Sequence, residues 1–487
     1  MKSKSRGNSF CCFLVVFVFF TLPIFSQPAT RQVLQNTPRL QRKFSPGPGL
    51  KGTNHFDRDY EQQWARFTTI DDYRLAGKTN VLWDSHVIAA FEAYSQLKMT
   101  INTSPFPEDR LLIKDIVAES SAAIQAGCDD PLLKHIYTMF VQTRDPAFSD
   151  RKLGEEYMAQ AEAIEKTGYS AIRKYYLHNY AAAIPSTSRT NFTPVLNETR
   201  RLVIQHLAEA LQDPMVPPRE AAWVTHQIWN TCRLDTNALV YMEQTLLPVL
   251  RKNWGSHGFA CLFEGNFYIN KAWESRTRYV ADKVTPEGWA GLKLNMNVAE
   301  KALKKGWELD STNAAIATAM ITVCMGQAYP RPEMEKWFSR AMAANPSNYT
   351  AVDHKSQFLE PKWFGTVPEL LEFGRECVNS TSWNGRVPLI LVDIRETVAG
   401  YLEPDQQSKY WDDPKVWEDE QKSFERFFEL NSSDIAVRHH YASAAFRSKH
   451  FDVFLMEIKK IDKRINYSTF GGRAQFEKMM NYAARNL

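Results

Sequence analysis

The chain has 487 residues, 44% of them hydrophobic and 23% charged, with a formal net charge of +4. That is enough apolar material for a large core, and it lacks the clustered basic surplus with which a nucleic-acid binder neutralises phosphates. Seven cysteines, none in a Cys-x-x-Cys pair, exclude a zinc ribbon and a dense disulfide framework.

Lys2, Lys4 and Arg6 precede an apolar run from Phe10 to Phe25 that is interrupted by Thr21 and Pro23. This is the pattern of a secretory signal peptide over residues 1–26, and it falls short of the roughly 20 apolar residues of a membrane span. It predicts a secreted or periplasmic protein, attached to a membrane only if the apolar segment is retained as an anchor. Without that segment the charge falls to +1, and Cys128, Cys232, Cys261, Cys324 and Cys377 remain, far apart, with room for one bridge in an oxidising compartment. Residues 27–56 read as a flexible basic linker. Gly47-Pro48-Gly49-Leu50-Lys51-Gly52 matches the dinucleotide pattern G-x-G-x-x-G, but Ser45-Pro46 stands where a buried strand is required, so no cofactor is assigned.

From Tyr60, Trp64 and Phe67 onward, apolar residues recur at three- and four-residue steps. The spacing predicts helices over 80–98, 108–126, 131–141, 154–166 and 169–183, an N-terminal helical region spanning 57–184. Gly127-Cys128-Asp129-Asp130-Pro131 stops one helix and caps the next. A polar break at 185–191 opens a second region, 185–284, with helices over 195–211 and 218–232. Its end departs from the pattern: Gly255, Gly258 and Gly265 lie among Trp254, His257, Phe259, Glu264, Tyr268 and Trp273. Glycines permit close approach and aromatic rings offer flat apolar faces, which makes these six residues the candidate ligand surface; the competing reading is a widened helix junction filled by rings.

The third region, 285–487, carries phased hairpins. Thr285-Pro286-Glu287 starts a helix with Leu292, Met296, Ala299, Leu303 and Gly306 on one face. A turn at Asp310-Ser311-Thr312-Asn313 leads to Ile316, Met320 and Val323. A second pair starts at Arg331-Pro332, turns at Asn345-Pro346-Ser347-Asn348 and continues through Val352 and Leu359. Asn313 and Asn348 are 35 residues apart, close to the roughly 34-residue tetratricopeptide period. A third turn, Asn431-Ser432-Ser433-Asp434, follows Phe424, Phe427 and Phe428. Thr366 and Glu369 form a capping box, and Leu389 to Tyr401 a further helix. The expected fold is therefore all-α: helical hairpins stacked as a tetratricopeptide-like (TPR-like) α-solenoid, with irregular aromatic-rich insertions.

The Pro361-Lys362-Trp363 turn, the Phe373-Gly374-Arg375 helix exit, and the Tyr410-Trp411 turn before Phe427-Phe428 carry a resemblance. Over Thr285 to Phe454 the chain resembles uncharacterised secreted bacterial proteins with tetratricopeptide-like repeats, a domain of unknown function. The resemblance implies the repeat fold and supplies no catalytic residues.

The motif search finds no His-Glu-x-x-His, no phosphate-binding loop and no Gly-x-Ser-x-Gly elbow, so no catalytic residue and no metal ligand is assigned. His439 and His440 are adjacent and diverge on a helix; Asp353 and His354, also adjacent, do not face each other. The expected function is a secreted or periplasmic helical-repeat scaffold binding a protein or peptide partner, with no nucleic acid. The alternative is an all-helical carbohydrate-active enzyme with two carboxylates in an aromatic cleft.

Overall fold

The computed structural model describes residues 58–100, 107–141, 150–183, 192–277 and 281–487. The signal segment, the linker with its glycine-rich match and the polar break at 185–191 lie outside the described residues. Among the described residues the regular elements are helices and none is a strand, so the chain is all-α. It divides into two compact units, one ending at Trp254 and one starting at Gly255.

The first unit comprises α1 (Arg58–Arg66), α2 (Asp72–Ala76), α3 (Asp84–Thr100), α4 (Pro107–Gln125), α5 (Pro131–Val141), α6 (Asp150–Glu165), α7 (Ala171–Ala183), α8 (Phe192–Ala210), α9 (Pro218–Cys232), α10 (Thr236–Tyr241) and α11 (Leu247–Trp254). Wider π-type turns join α1 to α2 and α10 to α11. Most of these helices lie within a few residues of the spans that apolar spacing predicts. The α4–α5 turn shows why: Gly127 takes a positive φ of 104°, open to glycine without strain, and Asp130 caps α5 by accepting from Leu132 N (3.0 Å) and Leu133 N (3.1 Å). The same buried carboxylate accepts from Lys78 N and the Tyr169 hydroxyl, tying the turn after α2 and the start of α7 to the cap. Arg173, fully buried, donates to the carbonyl and hydroxyl of Thr68, with Tyr94 and Tyr176 against its guanidinium. A buried cation held this way is satisfied by hydrogen bonds and ring faces in place of water.

The second unit comprises α12 (Gly258–Arg276), α13 (Pro286–Leu309), α14 (Ala314–Gly326), α15 (Arg331–Ala344), α16 (Tyr349–Phe358), α17 (Val367–Asn379), α18 (Ile390–Gly400), α19 (Pro404–Trp411), α20 (Pro414–Leu430), α21 (Ile435–Arg447), α22 (Phe451–Ile461) and α23 (Arg473–Arg485). Three of its turns share one backbone conformation. Asp310, Asn345 and Asn431 end their helices with φ/ψ of −149/81°, −147/98° and −143/67°. Three residues later Asn313, Asn348 and Asp434 begin the next helices at −81/94°, −74/80° and −75/102°. Each of the latter accepts a backbone N–H with its side-chain oxygen, from Ala315, Ala351 and Val437 respectively. Asn348 is buried and also donates to Thr318 Oγ1 at 2.8 Å, which joins its turn to α14.

α14 is the buried spine of the unit, packed against α12, α13, α15 and α16; α16 in turn packs on α18. Rings join the outer helices edge to face: Trp307 to Trp337 between α13 and α15 (5.7 Å), and Phe338 to Phe373 between α15 and α17 (5.6 Å). The stretch expected to be irregular, from Asn253 to Trp273, is a turn followed by the continuous helix α12. Its glycines serve helix packing: a Cβ on Gly265 would lie 2.5 Å from the Leu303 side chain, and one on Gly306 would lie 2.9 Å from Cys261 Cβ. α12 and α13 therefore pack closely at reciprocal glycines, a tertiary reason that a single helix's periodicity does not reveal. Cys128, Cys232, Cys261, Cys324 and Cys377 are all buried free thiols, so the bridge allowed by the sequence does not form.

Gly265→Leu is expected to lower stability by about 1–3 kcal/mol through overpacking against Leu303. Gly400→Ala, whose Cβ meets nothing within 4 Å, should change it by less than about 0.5 kcal/mol as an unobstructed surface substitution. Urea midpoints of the two variants check the packing. Asn348→Ala removes a cap and the bond to Thr318 Oγ1, whose own donation to the Ala314 carbonyl remains, and is expected to cost about 1–2 kcal/mol, more than Asn313→Ala; equal losses in denaturation would mean that the bond to α14 contributes nothing.

Candidate ligand-binding face

The six residues singled out by the sequence do not converge. Trp254 ends α11 in the first unit, with its indole donating to the Leu211 carbonyl at 2.8 Å. His257 sits at the N-cap of α12, and Glu264 and Tyr268 follow on the same side at about 100° per residue. Phe259 and Trp273 point the other way. Phe259 is buried, and Tyr268 packs at the edge of the core with the Lys271 ammonium 5.9 Å from its ring centre.

Trp273 enters a different constellation. Its ring lies 5.6 Å from Trp363, and the Arg276 guanidinium stands 6.0 Å from Trp273, 5.1 Å from Trp289 and 5.7 Å from Trp363. Three tryptophans contributed by the end of α12, the start of α13 and the α16–α17 turn thus surround one guanidinium. Indole is the best of the aromatic faces for such a cation. Phe364 stacks beside Trp363 and is 42% exposed.

A row of carboxylates continues from this cluster along α16 and α18. Glu360, in the same turn as Trp363, accepts from the Tyr401 hydroxyl and pairs with Lys362 at 2.8 Å. Asp353 on α16 accepts from Gln357 at 3.0 Å. Asp393 on α18 accepts from the Tyr349 hydroxyl, with Glu396 one turn further along. Two of these carboxyls, Asp393 and Asp353, are raised. Desolvation in the crease between α16 and α18, with the neighbouring Glu396 and Asp353 charges, pushes Asp393 up to about 6 although one edge of its side chain stays exposed. Desolvation also raises Asp353, with Glu360 adding to it. His354, adjacent to Asp353, turns its Nδ1 toward Thr322 Oγ1 (3.1 Å) and the Thr318 carbonyl, and burial lowers its pKa. The Asp353 charge opposes that shift, as His354 opposes the rise at Asp353, so the two neighbours act on each other through charge while their side chains bond to different partners.

Behind Glu396 lies a buried ionic network. Arg395 donates to Asp419 and to the Tyr410 hydroxyl, and Arg375 reaches the same carboxylate with two bonds of 3.1 and 3.0 Å. Arg447 pairs with Glu420 and Glu396 and lies 3.5 Å over the Trp411 ring. Glu420 is 0% exposed, one of its oxygens has no partner, and burial pushes its carboxyl up to about 7. A depression of about 360 Å³ opens beside the network, lined by Arg375, Val378, Asn379, Leu391, Lys415, Glu418, Asp419 and Lys422.

The signals for this face were partly present in the sequence. Asp393 and Glu396 are three apart on a helix that the spacing predicts, hence on one side. Nothing local joins them to Asp353, Glu360 or the tryptophans, because that juxtaposition belongs to the stacking of α12, α14, α16 and α18. His439 and His440 remain structural or exposed: His439 Nδ1 lies 2.7 Å from the Ile435 carbonyl while its Nε2 accepts from Asn466 N. No family model and no curated protein matches the chain.

The raised acid Glu420 supplies a pH test. A carboxyl whose folded pKa lies above its unfolded value stabilises fully below the unfolded value, and that contribution is lost as pH rises toward the folded one. The stability of Glu420→Gln relative to wild type should therefore increase between pH 4.5 and 7. The limit is about 3 kcal/mol. Urea denaturation of both proteins at pH 4.5 and 8 measures it; a pH-independent difference would show that Glu420 is ionised throughout.

Proposed function

We propose that the chain is an exported helical-repeat scaffold whose second unit is a TPR-like α-solenoid that binds a basic segment of a protein or peptide partner. The observation that carries this is the single face on which Asp353, Glu360, Asp393 and Glu396 lie beside tryptophans already holding a guanidinium. The repeated four-residue turns support the solenoid reading, because the α13–α14, α15–α16 and α20–α21 pairs reverse through similar backbone angles. Export rests on the signal-like first 26 residues.

A cationic ligand would supply what the row lacks. Desolvation raises both Asp393 and Asp353, and the Asp353 charge adds to the rise at Asp393, so an arginine or lysine side chain beside them favours their ionised forms. The tyrosine hydroxyls of Tyr349 and Tyr401 fix two of the carboxylates in place, so little side-chain ordering remains to be done on binding. Phe364 and Tyr401, both more than two-fifths exposed, add apolar contact at the rim.

The test is fluorescence anisotropy of labelled Arg/Lys-rich and Asp/Glu-rich peptides of equal length with the full chain. The basic peptide is expected to bind, the acidic one not, and affinity should rise with pH through about 6 as Asp393 ionises. An Asp353→Asn/Asp393→Asn double variant should lose at least about tenfold, the effect of roughly 1.4 kcal/mol. Equal binding of both peptides, or no effect of the double variant, rejects the reading; release of reducing sugar from a polysaccharide panel would replace it with the carbohydrate-active alternative.

A further inference from the structure

In the first unit, three helices bring together side chains that the sequence keeps far apart. His178 on α7 and His206 on α8 lie 13 and 41 residues after Glu165, the last residue of α6. The Nε2 atoms of the two histidines stand 2.9 and 2.7 Å from one and the same oxygen, Oε1 of Glu165. Their rings are 5.5 Å apart and inclined by 32°, and one donor atom from each residue lies within 4.8 Å of the other two. The histidine side chains are 4% and 5% exposed; Glu165 keeps 31% and forms the solvent side of the cluster.

Hydrogen bonding alone fits this arrangement poorly. For both imidazoles to donate to Glu165, each must carry its proton on Nε2, and the neutral ring then offers a bare Nδ1 that seeks a donor. The Nδ1 of His206 instead faces Glu209 Oε2 at 3.4 Å, an acceptor when ionised, so bonding to both carboxylates without a metal requires a doubly protonated, charged ring at a side chain 5% exposed. The Nδ1 of His178 is buried with no partner in either form. If a cation takes the place of the two Nε2 protons, both Nε2 lone pairs point at it, and His206 carries its proton on Nδ1, toward Glu209. That is the carboxylate–histidine–metal pattern that fixes tautomer and ring orientation in metal sites.

We propose that Glu165, His178 and His206 form a binding site for one divalent transition-metal ion, Zn²⁺ by donor chemistry, with Glu209 orienting His206. Imidazole nitrogen with one carboxylate is a donor set that suits zinc. Metal–ligand bonds of about 2.0–2.2 Å place tetrahedral donors about 3.3 Å apart, so the contacts to Glu165 need open by only about half an ångström. The position favours a cation: Glu165 ends α6, where the unpaired helix carbonyls are negative. Lys174 and Glu198 are the other charges felt at the cluster. Three protein donors leave a coordination position for water, on the side that Glu165 opens to solvent.

The experiment uses the full chain, purified without a histidine tag and stripped with chelator. Titration with CoCl₂, read by visible absorption, and with ZnCl₂, read by calorimetry, should each saturate at one equivalent, and Zn²⁺ should raise the melting temperature. His178→Gln, His206→Gln and Glu165→Gln should each weaken binding by at least about 100-fold, and Glu209→Gln by about tenfold. Circular dichroism confirms that each variant is folded; should a ligand variant fail to fold, the wild-type stoichiometry and Glu209→Gln decide. No saturable binding, or binding unaffected by the histidine substitutions or by Glu209→Gln, overturns the site. The outcome is independent of the peptide-binding face, which lies in the other unit.

Discussion

The four-residue turn closed by a side-chain oxygen is the constraint on which the second unit depends. A helix leaves its last carbonyls and the next helix's first amides unpaired, and a turn this short has no spare backbone with which to satisfy them. Asn313, Asn348 and Asp434 meet that need with one acceptor each, at the same backbone angles, so the chain reverses by the same rotation each time. Helices paired by identical turns present equivalent faces to their neighbours. The turn at Asn348 opens α16, which carries Asp353, whereas α18 with Asp393 and Glu396 is entered through a 3₁₀ turn without a side-chain cap and meets α16 by packing.

Within this frame, close packing decides what becomes core. α14 has almost no polar side because it is covered from several directions, whereas α16 and α18 each keep one open edge. The reciprocal contacts of Gly265 with Leu303 and Gly306 with Cys261 bring α12 along α13 closely enough for Trp273 and Arg276 to reach the α16–α17 turn. A glycine cluster thus determines where an aromatic cluster ends up. Glycine seen in the sequence beside tryptophan suggests a loop, and the structure uses it to remove side-chain bulk from a helix contact.

This difference explains how much the sequence revealed. Helix spans, caps and the repeated Asn-ended turns were legible because they depend on neighbours three or four residues away. The candidate surface was legible only in part: Trp273 belongs to the aromatic cluster, while Phe259 is core and Trp254 lies in the other unit. Glu165, His178 and His206 left no local trace, since no two of them occupy one helix. A search for metal ligands that follows spacing along a single helix selects adjacent pairs such as His439 and His440, of which His439 is held by the Ile435 carbonyl and Asn466 N.

Both polar constellations illustrate how a helical protein uses burial to keep charges reactive. On α16 and α18, packing removes water from Asp353 and Asp393, so ionising these two carboxyls costs more than it does in solvent. Around Glu165, two buried imidazoles converge on one oxygen, and the Nδ1 of His178 is left without a hydrogen-bond partner. Arg173 and Asp130 show the contrasting case: equally buried, they meet several fixed partners and need nothing from outside. What separates a structural buried charge from a receptive one in this chain is therefore the number of partners that the fold itself supplies.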